Sequence, residues 1–327
     1  MTDRRTFIVV VASALAALPS AVNGQSAGRT YRLGVLSPGW LEPLQPLWYS
    51  VPLGEMGYVE GRNLHIERRY AEGKFERVPE FARELASHGL DVILAVGSVA
   101  VQAAKDATTT VPIVMLLNGD PVAAGFVHSL ARPGANVTGV LITPEGSLAG
   151  KRLELLKEAV PRTTRIALLA PDDPGRSWSQ QLLETQTAAA SLGLGLEVIV
   201  VRRRDYPRAF AAIAALRPQA LVVGAASAFV RDRKEIIELA ATYRLPAIYE
   251  WPRQVHEGGL MSYGASDLET YRQVASYIDR LFKGASPGEL PIWQPSRLHL
   301  VINARTAKAL GLSVPQALLR RADEVIQ

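Results

Sequence analysis

RIALLAPDD, residues 165–173, decides the fold, because it restarts an order of elements that the chain has already run once. From Tyr31 onward short apolar runs alternate with helix-period segments. YRLGVLS, NLHIERRY, DVILAV, VPIVMLL and NVTGVLI read as strands, and FERVPEFARELASHG and VAVQAAKDATTT between them place apolar residues three and four apart. After Pro144 the order begins again with RIALLA, LEVIVV, ALVVG, LPAIYE and GGLMSYG as strands and SQQLLETQTAAASLG and RKEIIELAATYR as helices. The two sets agree at matching places. LGVLSPG and IALLAPDD both end a strand in a proline turn; DVILAVGS and ALVVGAAS both run into glycine and small residues; VPIV and LPAI both enter a strand through proline. Strands separated by helices pair in parallel, since returning over a sheet needs such a crossover. The expectation is an α/β protein of two Rossmann-like lobes with parallel sheets and a cleft between them. The tail adds a helix, YRQVASYIDRLFKG, a strand, PSRLHLVIN, and a short helix, TAKALGL, so the chain recrosses between lobes.

Length and composition fit two such lobes. The chain has 327 residues, 48% of them hydrophobic, and a net charge of +5 from 36 Lys+Arg against 31 Asp+Glu. That mild excess is no nucleic-acid footprint, and Arg202-Arg203-Arg204, directly after LEVIVV, reads as a solvated strand end. Absence of cysteine excludes disulfides, thiol chemistry and cysteine zinc sites. The start, MTDRRTFIVVVASALAALPSAVNG, has Arg4-Arg5, an apolar run from Phe7 to Leu18 and small residues thereafter. A membrane-spanning helix needs about 20 apolar residues, so this run reads as a signal peptide of the twin-arginine type, cut near Gly24-Gln25. A protein exported to the periplasm is expected.

Open α/β sheets take ligands beyond the carboxyl ends of their strands. That rule nominates Ser37 and Trp40 after the first strand, Gly97 and Ser98 after the third, and Asn118 and Asp120 after the fourth. From the second set come Asp172, Ser227, Glu250, Trp251 and Tyr263. Trp40, Trp251 and Tyr263 suit stacking on a flat ligand, while Glu250 and Asp120 offer carboxylates to an amine. Ser98 heads VAVQAAKD, where a helix N-terminus presents free N–H groups to an anion. Each has a plainer reading as cap, turn or core residue. Enzyme signatures are poor: there is no G-x-S-x-G elbow, no G-x-G-x-x-G after a strand, and GSLAGKR (146–152) is one residue short of a phosphate loop. The five histidines are scattered without metal-ligand spacing, and His256 reads as a surface or hinge residue. No cofactor and no catalytic set are expected.

GYVEGRN, DPVAAGFVHSLARPGANVTGV, KRLELLKEAVP, LPAIYEWPRQVHEGGLMSYG and LVINARTAKALGLSVPQALLRRADEVI resemble the ABC-transporter substrate-binding protein family that includes tryptophan- and tyrosine-binding members. The resemblance runs from Tyr31 to the C-terminus. It implies the type I periplasmic-binding-protein fold, a small solute enclosed between two lobes, and delivery to a membrane permease with its ATPase. It places Gly97-Ser98, Asp120-Pro121, Glu250 and Ser262-Tyr263 at the cleft. An asparagine or aspartate often stands near Ala225–Ser227 in the aromatic-amino-acid branch; here AAS does not supply it, which leaves room for an aromatic carboxylate or another flat solute. The expected lobes are residues 30–143 with about 267–290 and residues 144–266 with about 291–327, acting as a monomer. A ligand sensor docking a membrane receptor would need the same lobes, and a secreted hydrolase or lyase lacks a nucleophile–base constellation.

Overall fold

In the computed structural model, residues 29–39, 45–143, 148–172 and 176–327 are described; the leader, Trp40 and Asp173 fall outside them. The first five strands, β1 (Tyr31–Ser37), β2 (Leu64–Tyr70), β3 (Val92–Val96), β4 (Ile113–Leu117) and β5 (Val137–Leu141), form a parallel sheet in the order β2-β1-β3-β4-β5. Helices α1 (Gln45–Glu55), α2 (Val78–Ser87) and α3 (Ser98–Ala107) make three of its four crossovers, and β4 joins β5 without a helix. β4 and β5 are buried at every position, which explains the unbroken apolar run IVMLL; in VTGVL the one polar side chain, Thr138, donates to the Leu290 carbonyl at 2.7 Å. The glycine in the second run is dictated by close approach. Gly139 has φ +146°, and a Cβ there would lie 2.2 Å from the Met115 carbonyl oxygen on β4.

α4 (Ala149–Ala159) leads into a second sheet. Its strands are β6 (Arg165–Pro171), β7 (Gly195–Val201), β8 (Ala220–Val223), β9 (Ala247–Tyr249), β10 (Met261–Gly264), β11 (His299–Asn303) and β12 (Glu324–Ile326). The order is β12-β11-β10-β9-β8-β6-β7. Read from the far edge, β7-β6-β8-β9-β10 repeats the order of the first sheet, so the duplication seen in the sequence is a duplication of topology. The helices of this half are α5 (Arg176–Ser191), α6 (Tyr206–Leu216), α7 (Ser227–Arg231), α8 (Arg233–Thr242) and α9 (Pro252–His256). Asp205 caps α6 through the Arg208 N–H, at 3.1 Å.

The tail settles where the sequence alone could not place it. α10 (Asp267–Phe282) starts on a capping sequence, Ser266-x-x-Glu269, with the Ser266 hydroxyl accepting the Glu269 N–H at 3.3 Å. It returns to the first sheet, where Val274, Ala275, Tyr277, Ile278, Leu281 and Phe282 join the core beside Tyr58 and Leu64. Trp293 then pairs with β5, its N–H donating to the Gly139 carbonyl at 2.9 Å. Only after this does the chain re-enter the second sheet, so β11 runs antiparallel to β10. Two short helices, α11 (Ala304–Ala309) and α12 (Gln316–Arg321), precede β12. Each sheet carries apolar side chains on both faces, giving four core clusters in two three-layered lobes.

Candidate functional site

The carboxyl ends of both sheets open on one cavity of about 130 Å³. From the first lobe it receives Ser37 at the end of β1 and Pro38 after it, Tyr70 at the end of β2, Gly97 and Ser98 after β3, and Asn118 after β4. From the second it receives Ala225 and Ala226 after β8, and Glu250 and Trp251 after β9. Three helices complete the wall with Tyr49 on α1, Trp178 on α5 and Tyr271 on α10. Five aromatic side chains, Tyr49, Tyr70, Trp178, Trp251 and Tyr271, thus face a single space.

Gly97 makes the approach of α3 possible. It occupies the N-cap position with φ +83°, a conformation that favours glycine, and Ser98 is the first helical residue rather than the cap. Ser98 and Val99 line the cavity at a helix end whose first N–H groups have no intrahelical carbonyl to meet. The Ser37 hydroxyl is fully buried and accepts the Gly39 N–H at 3.1 Å, which fixes the turn after β1.

One polar chain crosses between the lobes. Thr143 Oγ1 donates to Asn118 Oδ1 at 2.9 Å, and Asn118 Nδ2 donates to Glu250 Oε1 at 3.0 Å. Behind Glu250 lies Arg152 of α4, whose Nη2 is 3.7 Å from the same oxygen and whose Nε donates to the Tyr263 carbonyl at 2.8 Å. Both side chains are almost wholly buried, at 2% and 6% exposure. Burial pushes the Glu250 carboxyl above the usual carboxylate range, while the Arg152 charge and the Trp251 side chain pull the other way. Arg152 keeps its proton, because a guanidinium starts so high that burial cannot bring it to neutrality.

Of the residues nominated from the sequence, the cavity brings together Ser37, Gly97, Ser98, Asn118, Glu250 and Trp251. The others stand elsewhere. Asp120 does not line it; its Oδ1 accepts the Val122 and Ala123 N–H groups at 2.8 and 3.1 Å, so the side chain serves its own turn. Tyr263 offers its carbonyl to Arg152, and its ring packs on the core of the second lobe. Asp172 is exposed beyond β6 and borders a neighbouring cavity with Glu72 and Arg203. Ser227 begins α7 beside Ala226. Trp40 lies outside the described residues. His256 is a surface residue, with Nε2 3.0 Å from Glu324.

The sequence reading missed Tyr49, Tyr70, Trp178, Tyr271 and Arg152. Tyr70 carried a usable signal, since it ends the strand read as NLHIERRY. The helical aromatics carried none, because which face of a helix meets the cleft depends on how the lobes are packed. Among the described residues no cluster of three or more His, Cys, Asp or Glu side chains suited to a metal is present.

Two facing α/β lobes with an aromatic cavity at their strand ends define a solute-binding protein of the type I periplasmic fold. The chain belongs to the family described as ABC transporter substrate binding protein, whose profile matches residues 51–326. A curated relative, the tyrosine-binding protein of Clostridioides difficile (strain R20291), is 25% identical over 260 residues, covering 80% of this chain and 74% of its own. Among solved structures, a conserved domain protein of Vibrio cholerae O1 biovar eltor is 27% identical with a TM-score of 0.78, covering 91% of this chain and all (100%) of its own. The Streptococcus pneumonia ABC domain in complex with L-Trp is 25% identical with a TM-score of 0.78 and the same coverage of 91% and 100%.

Proposed function

We propose that this protein captures a small aromatic solute, an aromatic amino acid or a related aromatic or apolar carboxylate, and delivers it to the membrane permease of an ABC importer driven by a separate ATPase. The observation that carries this reading is the cavity between the strand ends of both lobes, walled by Tyr49, Tyr70, Trp178, Trp251 and Tyr271. Flat rings recognise flat ligands, and an aromatic pair contributes about 0.5–1.5 kcal/mol beyond the area it buries. Because the walls come from both lobes, a ligand touching all of them favours the closed arrangement, which is how capture would be coupled to closure. The lobes would move as residues 30–143 with about 267–290 against residues 144–266 with about 291–327.

The relatives support the same ligand class, one named for tyrosine and one holding L-Trp. Export to the periplasm is supported by the leader MTDRRTFIVVVASALAALPSAVNG, and among the described residues no helix is long and apolar enough to cross a membrane. The protein would act as a monomer, without cofactor and without catalysis. No histidine lines the described cavity to serve Ser37 or Ser98 as a base.

A thermal-shift panel followed by calorimetry tests the reading. A ligand at a hundred times its Kd adds about 2.7 kcal/mol of stability. Aromatic amino acids and aromatic carboxylates should raise the unfolding temperature, and sugars and aliphatic amino acids should not; the reverse pattern overturns the assignment.

A further inference from the structure

The charges around the cavity narrow the ligand further, on the reading just proposed for it. The described lining contains one carboxylate, Glu250, and no lysine, arginine or histidine. Glu250 is already matched. The buried Arg152 guanidinium stands 3.7 Å behind it, and Asn118 donates to the same oxygen at 3.0 Å. Arg152 Nη2 makes no hydrogen bond, so this end of the guanidinium acts on Glu250 as a charge. An ammonium group brought to Glu250 would therefore also meet the field of Arg152, in surroundings that screen it poorly. An amine would leave the site with one more cation than anions, and an α-amino acid, neutral overall, would have to bury its ammonium against a carboxylate already paired with Arg152.

A carboxylate meets opposite conditions. On the facing wall Gly97, Ser98 and Val99 begin α3, where unpaired N–H groups and the positive end of the helix point to an anion. Tyr70 also lines the cavity, and its buried hydroxyl has no hydrogen-bond partner among the described residues. The size is that of one ring: about 130 Å³, against roughly 150 Å³ for a protein cavity that takes a benzene molecule.

We propose that the buried Arg152–Glu250 pair makes this a site for single-ring aromatic carboxylates that carry no α-ammonium group, with Arg152 the residue that sets the preference. The test uses three probes with one carbon skeleton: 3-phenylpropanoate, L-phenylalanine and 2-phenylethylamine. They are titrated calorimetrically into the full mature chain. The expected order is 3-phenylpropanoate first, by about tenfold or more over L-phenylalanine, and 2-phenylethylamine last. L-phenylalanine binding as tightly as 3-phenylpropanoate, or more tightly, overturns this proposal while leaving the aromatic-solute reading in place. Failure of all three probes, with a non-aromatic solute binding instead, overturns both.

Two variants address Arg152 itself. Arg152→Met should shrink the ratio between 3-phenylpropanoate and L-phenylalanine about tenfold, because Glu250, no longer paired, can give up the proton it holds in the ligand-free variant and meet the ammonium group as a carboxylate; an unchanged ratio means that Arg152 does not set the preference. Should the single variant fail to fold, Arg152→Met/Glu250→Gln, which deletes both charges, should keep the wild-type order, because Arg152 acts by occupying Glu250 and no carboxylate is then left for the ammonium group; a reversed order there overturns the proposal.

Discussion

Replacing Arg152 by methionine, which keeps the stem and deletes the guanidinium, should destabilise the fold by an amount that depends on pH. Arg152 is 2% exposed, and Glu250 beside it is buried as deeply. Deleting one partner of a buried ion pair costs about 3–5 kcal/mol, because the other charge is left without compensation. Glu250 can avoid that cost by taking up a proton. Burial already holds its carboxyl high, and Arg152 is the largest influence pulling it down, so the variant raises it further. A group whose folded pKa lies above its unfolded pKa binds protons better in the folded state. Its favourable contribution is complete below the unfolded value and is lost as pH rises through the folded one. The penalty of the variant should thus be small near pH 4 and grow above the ordinary carboxylate range by up to about 1.4 kcal/mol per pH unit, towards 3–5 kcal/mol. Urea unfolding of the mature chain by circular dichroism at about pH 5, 6.5 and 8 reads this directly, and Glu250→Gln in the same background should flatten the pH dependence. A penalty equal at all three pH values, or below about 1 kcal/mol at the highest, would refute the coupling.

Trp251→Ala should weaken aromatic ligand binding about tenfold by calorimetry while Arg203→Ala, at an exposed turn, leaves it unchanged; loss of ligand-free stability in place of affinity would mark Trp251 as a packing residue. Asp232 accepts Tyr206 Oη at 2.6 Å, Arg204 Nη2 at 2.7 Å and Arg231 Nε at 2.6 Å, so Asp232→Asn should cost about 2–3 kcal/mol in chemical unfolding at neutral pH. Those partners hold its carboxyl below the usual range, so the wild-type contribution is present above the ordinary carboxylate value and lost as pH falls through the folded one; a variant penalty that grows on acidification would contradict this. Gly139→Ala drives a methyl group to 2.2 Å from the Met115 carbonyl oxygen and should lower stability by about 2 kcal/mol or more in urea unfolding, whereas a neutral result would mean β4 and β5 can part there. Mass spectrometry of the exported protein should find a start near Gln25, and changing both Arg4 and Arg5 to Lys should block export; an intact Met1 outside the cytoplasm would contradict the leader reading.

The fold was legible because its signals are local and repeated. YRLGVLS is β1 from Tyr31 to Ser37, and RIALLA falls within β6, with a proline closing each, Pro38 directly after β1 and Pro171 as the last residue of β6. Buried parallel strands need continuous apolar runs, and Pro and Gly mark their ends, so a duplicated order survives in the letters. Strand-end logic likewise reached Ser37, Gly97, Ser98, Asn118, Glu250 and Trp251. It failed where a strand-end side chain has a nearer partner: Asp120 closes on the N–H groups two and three residues ahead, an option open to any aspartate in a turn. It also had no access to Trp178 and Tyr271, brought to the cavity by helices whose orientation is set by the other layer. Arg152 was hardest to find. KRLELLKEAVP reads as an ordinary amphipathic helix, and only the packing of α4 against β9 and β10 turns one of its basic residues inward.

The measurement that bears most directly on the account is a crystal structure of the mature protein grown with whichever of 3-phenylpropanoate and L-phenylalanine gives the larger thermal shift. Ligand density is expected between the lobes, its ring among Trp178, Trp251 and Tyr271 and its carboxylate at Ser98 and Val99. Density in the neighbouring cavity beside Asp172 and Arg203, or on the outer surface of either lobe, would contradict it.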